Sequence, residues 1–160
     1  EEAMSISDMI VVMKDGVLHQ AGKPQDVYND PADLFVAKFL GTPPINVFKG
    51  ELKDGYLYIG DEKIMKVSYS GAKKVSVGVR PEGLVPASDG CLTCGLSRVE
   101  TMGRDTSIVF SHGMLEATLG RAIVDAEDAG GIIGQVVKFN IRPTKIHVFD
   151  EETGAKIVLG

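Results

Sequence analysis

Tryptophan is absent from the 160 residues, aromatics make up only 6%, and there are just two cysteines. Cys91 and Cys94 form a single C-x-x-C with no second pair, which is half a zinc site at best. Leu92, Cys94 and Leu96 alternate as in a strand, sending Cys91 and Cys94 to opposite faces, so they read as small core or surface thiols. A disulfide-built secreted domain is excluded. No apolar run approaches the roughly 20 residues needed for a spanning helix, so a membrane-spanning unit is excluded, although docking on a membrane is not. Net charge is -5, and no basic cluster exceeds Lys73-Lys74, which argues against a nucleic-acid partner.

The chemistry-bearing motifs are missing as well. There is no G-x-x-x-x-G-K-[ST] loop; the nearest glycine cluster, Ala129-Gly130-Gly131, lacks the lysine and the preceding strand. No G-x-S-x-G elbow occurs. His19, His112 and His147 do not have metal-ligand spacing and read as solvated strand or loop residues, so no metal site is expected. The acids fall in turns: Asp54, Asp61, Glu62, Asp89, the Asp125 to Asp128 run, and Asp150-Glu-Glu before Thr153-Gly154. No base is paired with a nucleophile, so this stretch is expected not to be an enzyme by itself.

What the sequence does contain is strong punctuation. Glu1-Glu2-Ala3-Met4 are helix formers with no cap before them, so residues 1–8 read as the end of a helix entered partway, and the chain as a piece of something longer. Met9 to Met13 is a strand-type run, and Asp15-Gly16 before Val17-Leu18 signals a hairpin. Pro24 opens a helical turn through Tyr28. A second helix is expected with Asp30 as N-cap, Pro31 in its first position and Asp33 three after the cap. Phe35/Phe39 and Val36/Leu40 form its apolar stripe, with both phenylalanines in the core, and Gly41 and Pro43-Pro44 end it.

After Pro44 the period changes to two. Val47 to Leu52, Asp54-Gly55 and Tyr56 to Ile59 read as another hairpin. Val75/Val77/Val79, Leu115/Ala117/Leu119, Val137/Phe139/Ile141 and Ile146/Val148 each alternate with polar residues. Many short strands with glycine turns and almost no helix predict a β-sandwich or barrel. The sequence also echoes itself: Val77-Gly-Val-Arg-Pro-Glu82 resembles Phe139-Asn-Ile-Arg-Pro-Thr144. A proline after the arginine ends ladder pairing, and the repeat suggests two similar halves of one barrel. Gly78 and Gly103 read as bulge or turn residues.

The first forty residues resemble the stretch following the switch histidine in ATP-binding subunits of bacterial ABC importers. The resemblance runs from Glu1-Glu2-Ala3-Met4 through the apolar run and Asp15-Gly16, then Gly22-x-Pro24, Tyr28, Pro31 and Phe35-Val36-Ala37 to Gly41. Residues 46–160 resemble the transport-associated OB-type (TOBE) barrel of one subfamily. Val79-Arg80-Pro81-Glu82, Val99-Glu100 with Gly103-x-Asp105-Thr106, and His147-Val148-Phe149-Asp150 through Gly154 carry that likeness. The resemblance implies a mainly β fold: an OB-type barrel over 45–160, preceded by a short α+β remnant of a nucleotide-binding domain over 1–44. It further implies a parent subunit that binds ATP and Mg, hydrolyses ATP as a homodimer, and works with membrane-spanning permease subunits as a peripheral protein on the cytoplasmic face of the bacterial membrane. No ATP-binding or catalytic residue of that family has a counterpart in this stretch. Gly41-Thr-Pro-Pro-Ile-Asn46 is most similar to carbohydrate and glycerol-phosphate importers, whereas molybdate-, sulfate- or polyamine-type importers carry related barrels that would instead make this a small-ligand or oxyanion-binding module.

A barrel appended to an ATPase is expected to hold two subunits together or to receive a regulatory protein. Both roles need fixed surface residues. Arg80 and Arg142, each beside a proline and opposite an apolar strand face, are the candidates, together with Glu82; the alternative is ordinary rim charges paired to Glu82 or Glu100.

Overall fold

Two Asp-Gly turns organise the first hairpins. Asp15 and Gly16 have φ of 51° and 78°, and Asp54 and Gly55 have 52° and 79°. Consecutive positive φ is what a two-residue hairpin loop needs, and Asp and Gly tolerate it. In the computed structural model, which describes residues 8–129, 132 and 134–159, the first turn joins β1 (Ile10–Lys14) to β2 (Val17–Gly22), and the second joins β3 (Asn46–Lys53) to β4 (Tyr56–Ile59). The expected helix end at 1–8 lies, but for Asp8, outside the described residues, as do Gly130 and Gly131.

Between the hairpins lie two short helices, α1 (Pro24–Asn29) and α2 (Leu34–Phe39). The cap of α2 is Asp33, not Asp30: the Asp33 carboxylate accepts the Val36 N–H at 2.9 Å, while Asp30 ends α1. Val36, Ala37 and Leu40 are buried, Phe35 is half-buried, and Phe39 is 58% exposed rather than core. Val12, Val27, Tyr28, Val36 and Leu40 form a small apolar cluster of their own.

The remaining strands are β5 (Glu62–Lys66), β6 (Lys73–Val79), β7 (Leu84–Pro86), β8 (Leu92–Met102), β9 (Asp105–Ser111), β10 (Gly120–Asp125), β11 (Val136–Ile141) and β12 (Ile146–Asp150). They make two antiparallel five-stranded sheets, ordered β12-β6-β3-β4-β5 and β10-β9-β8-β11-β7. The fold is therefore mainly β, as expected, and the sheets curl into a nearly closed barrel. One core serves both: Phe48, Val75, Val77 and Val79 from the first sheet meet Phe110, Phe139, Leu92 and Ile108 from the second. Phe48 and Phe110 stack with ring centroids 6.3 Å apart. Burying such rings supplies the main driving force for closure.

Three expectations are corrected. Leu115, Ala117 and Leu119 lie in a loop, attached to the sheet by a single bridge, Leu115 to Phe48. This loop fills the part of β3 that β4 leaves unpaired: the Lys49 N–H donates to Met114 O and the Glu116 N–H to Val47 O, both at 2.8 Å. Gly78 is neither bulge nor turn. It lies inside β6, where an added Cβ would stand 2.8 Å from Ile45 Cδ1, so the outer face of this sheet is covered too. The histidines are partnered or sheltered rather than solvated: His112 meets Glu62 at 2.8 Å, His19 meets Asp33 at 2.6 Å, and His147 Nε2 is buried. Gly103, at φ 66°, is the turn residue expected.

Candidate functional site: the paired Arg-Pro junction

The sequence echo is a structural repeat. β6 runs into Arg80, a 3-10 turn at Pro81–Gly83, and β7; β11 runs into Arg142, a 3-10 turn at Pro143–Lys145, and β12. Proline fits the first position of each turn because its missing N–H is not needed there. Each unit's exit strand pairs with the other's entry strand, β12 with β6 and β7 with β11.

The three candidate residues gather at this junction but differ in place. Glu82 and Arg142 lie together: Arg142 Nε donates to the Glu82 main-chain carbonyl at 3.2 Å. With Lys145 and three acids, Asp105, Asp125 and Asp128, they line a cleft of about 340 Å³ between β10 and the two 3-10 turns. Arg142 is exposed. Arg80 is not a surface residue as expected; it is only 1% exposed. Its strand face, opposite the valines, is roofed by the 24–45 segment rather than by water.

Arg80 grips that roof. Nη1 donates to Ala37 O and Leu40 O, and Nη2 to Tyr28 O, all at 2.9 Å. The guanidinium also lies 3.9 Å from the Tyr28 ring centroid, a cation–π contact. Burial lowers the Arg80 pKa, opposed by its neighbours Tyr28 and Glu82. The Tyr28 hydroxyl donates to Glu82 Oε2 at 2.6 Å, and Lys145 Nζ stands 3.4 Å from the same oxygen. Burial raises the Tyr28 pKa strongly, and the Glu82 carboxylate raises it further, so the phenol stays protonated. Burial would raise Glu82 too, but the Tyr28 hydroxyl and Lys145 outweigh it and leave its pKa below the ordinary range.

The expected pairing of these arginines with the Glu82 or Glu100 carboxylates does not form. Glu82 serves Tyr28 and Lys145, while Arg121 and Arg98 bind Glu100 and hold its pKa down to about 2. Tyr28 and Lys145 are the members that the sequence pattern did not single out as site residues. Cys91 and Cys94 are free thiols; burial pushes Cys94 up to about 12, which makes it a poor nucleophile. Among the described residues no group of three or more His, Cys, Asp or Glu side chains is arranged to hold a metal ion, and no helix is long and apolar enough to cross a membrane.

No protein-family model matches the chain. It is 32% identical over 159 residues to the sn-glycerol-3-phosphate import ATP-binding protein UgpC of Ruegeria sp. (strain TM1040), covering 98% of this chain and 44% of that protein. It is 34% identical over 164 residues to the uncharacterized ABC transporter ATP-binding protein YcjV of Escherichia coli O157:H7, covering 95% of this chain and 44% of that protein. Among solved structures, the cytoplasmic molybdate-binding protein ModG with molybdate bound aligns at TM-score 0.46 and 16% identity, over 64% of this chain and 94% of that one. The chain thus spans less than half the length of the curated relatives it matches. Along nearly its whole length it is a homologue of the ATP-binding proteins of ABC transporters.

Proposed function

We propose that this chain is the regulatory and dimerisation region of the ATP-binding subunit of an ABC importer for a sugar or sugar phosphate. In this reading residues 1–44 close the nucleotide-binding domain and residues 45–160 are the accessory barrel. ATP and Mg bind in the part of the subunit that this chain does not match, and hydrolysis there drives uptake through two permease subunits. The subunit sits peripherally on the cytoplasmic face of the membrane, pairs with a second copy, and offers Arg142 and Glu82, at the cleft, to that copy or to a regulatory protein. The observation that carries this reading is the 98% coverage of the chain by the glycerol-phosphate import relative.

Its test is a hybrid of that relative in which this chain replaces the matching region. The hybrid is expected to import glycerol 3-phosphate and to hydrolyse ATP only with its permease. A hybrid that assembles and hydrolyses ATP but imports no glycerol 3-phosphate overturns the substrate class. Tight calorimetric binding of molybdate or sulfate by the chain itself would replace this reading with that of an oxyanion-binding barrel.

A further inference from the structure

Arg80 is the one fully buried charged residue among the described residues. An isolated buried charge is costly, so its partners say what it is for. Its three acceptors are all main-chain carbonyls, and all come from helix ends. The last four carbonyls of a helix have no partner within it. In α1 the Asp26 carbonyl is taken by the Asp30 N–H, and in α2 the Val36 carbonyl by the Leu40 N–H. The carbonyls of Tyr28, Ala37 and Leu40 are taken by the guanidinium instead. A side chain delivered from the residue that follows barrel strand β6 therefore satisfies the C-terminal ends of both helices at once. Five donors in a rigid plane make that possible; a lysine ammonium is a single point on a flexible stem.

A second tie runs in parallel, from the Tyr28 hydroxyl to Glu82, the residue two beyond Arg80. We infer that Arg80 is a positioning residue that clamps α1 and α2 to the barrel, so that the segment 24–40 and the barrel move as one body rather than as two units on a hinge. If the function proposed above holds, the barrel then turns with the nucleotide-binding part it follows. That consequence rests on that reading, whereas the test below does not.

The test is hydrogen exchange on the full chain and its Arg80→Ala variant. The amides of Val27, Asp30, Ala37 and Leu40, which close the two helices, are expected to exchange at least about tenfold faster, because charge-assisted bonds are lost at both helix ends. The amides of β8 and β9 are expected to keep their protection. Ethylguanidinium, which restores the deleted head group, is expected to restore the helix amides, whereas equal sodium chloride is not. Arg80→Lys is expected to leave at least one helix unprotected. Unchanged helix amides in Arg80→Ala, or full protection in Arg80→Lys, would overturn the clamp. Should Arg80→Ala lose protection throughout the barrel, Arg80→Lys, which keeps the charge but not the guanidinium fork, decides instead. Faster exchange confined to α1 and α2 supports the clamp, and wild-type exchange sinks it.

Discussion

The Arg80 backbone N–H donates to the Lys145 carbonyl at 3.0 Å, and this bond has a twin, from the Arg142 N–H to the Gly83 carbonyl at 2.8 Å. Gly83 and Lys145 hold the same position in the two Arg-Pro units, so the bonds are reciprocal. The two turns cross so closely that a Cβ on Gly83 would lie 2.5 Å from Lys145 Cβ. Lys145 Cβ is fixed to the backbone and cannot swing aside. Gly83→Ala is expected to cost about 1–3 kcal/mol through overpacking. Thermal unfolding followed by circular dichroism measures this, and an unshifted midpoint would mean that the crossing yields freely.

A second expectation concerns the start of α2. Asp33→Ala removes the cap bond to Val36 and the contact with His19, and is expected to destabilise by about 1 kcal/mol. Asp30→Ala removes only an exposed ion pair with Lys156 and is expected to cost less than about 1 kcal/mol. Urea unfolding of the two variants side by side checks the order; the reverse order would move the cap back to Asp30.

These positions also show where sequence reasoning reaches its limit. Asp15-Gly16 and Asp54-Gly55 announced their hairpins because the required φ values exclude most other residues. The valines of β6 announced the core because period two leaves no other face for them. Asp30 and Asp33 both suit a cap; Asp33 takes the role with one carboxylate oxygen while the other meets His19, fourteen residues earlier, a contact no local pattern contains. Alternation placed Arg80 opposite the valines, as the structure does, but alternation cannot say whether that face meets water. Here Ile45 and Phe149 are buried on the same side as Gly78, and the 24–45 segment covers the arginine. Leu115, Ala117 and Leu119 alternate without forming a strand, because the period records available faces and not the partner a ladder needs.

Arg142 should behave unlike its repeat mate. It is exposed, and its side chain bonds only the Glu82 carbonyl among the described residues, so Arg142→Ala, which keeps the backbone bond to Gly83, is expected to change the stability of the chain by less than about 0.5 kcal/mol. If the cleft is a contact between two copies, the same variant weakens the dimer. Sedimentation over a dilution series separates the two effects: a stable variant with an unchanged dimer removes Arg142 from the interface.

The last expectation is a pH dependence centred on His147. Its Nε2 is buried with no partner within hydrogen-bond reach among the described residues, and burial, then the nearby Arg80 and Lys156 charges, push its pKa down to about 4. In the unfolded chain a histidine titrates near about pH 6.5. Between those values the unfolded state binds the proton and the folded state does not, so stability is present above the unfolded value and falls as pH drops toward about 4. Asp150 and Glu100, whose pKa values are held down to about 2, lose most of their contribution at lower pH than His147 does, because a carboxylate in the unfolded chain begins to bind protons at about pH 5 and is half-protonated at about pH 4. Urea midpoints taken between about pH 7 and about pH 4.5 are therefore expected to fall for the native chain and to fall less steeply for His147→Gln. Parallel slopes for the two proteins would assign the titration to other groups.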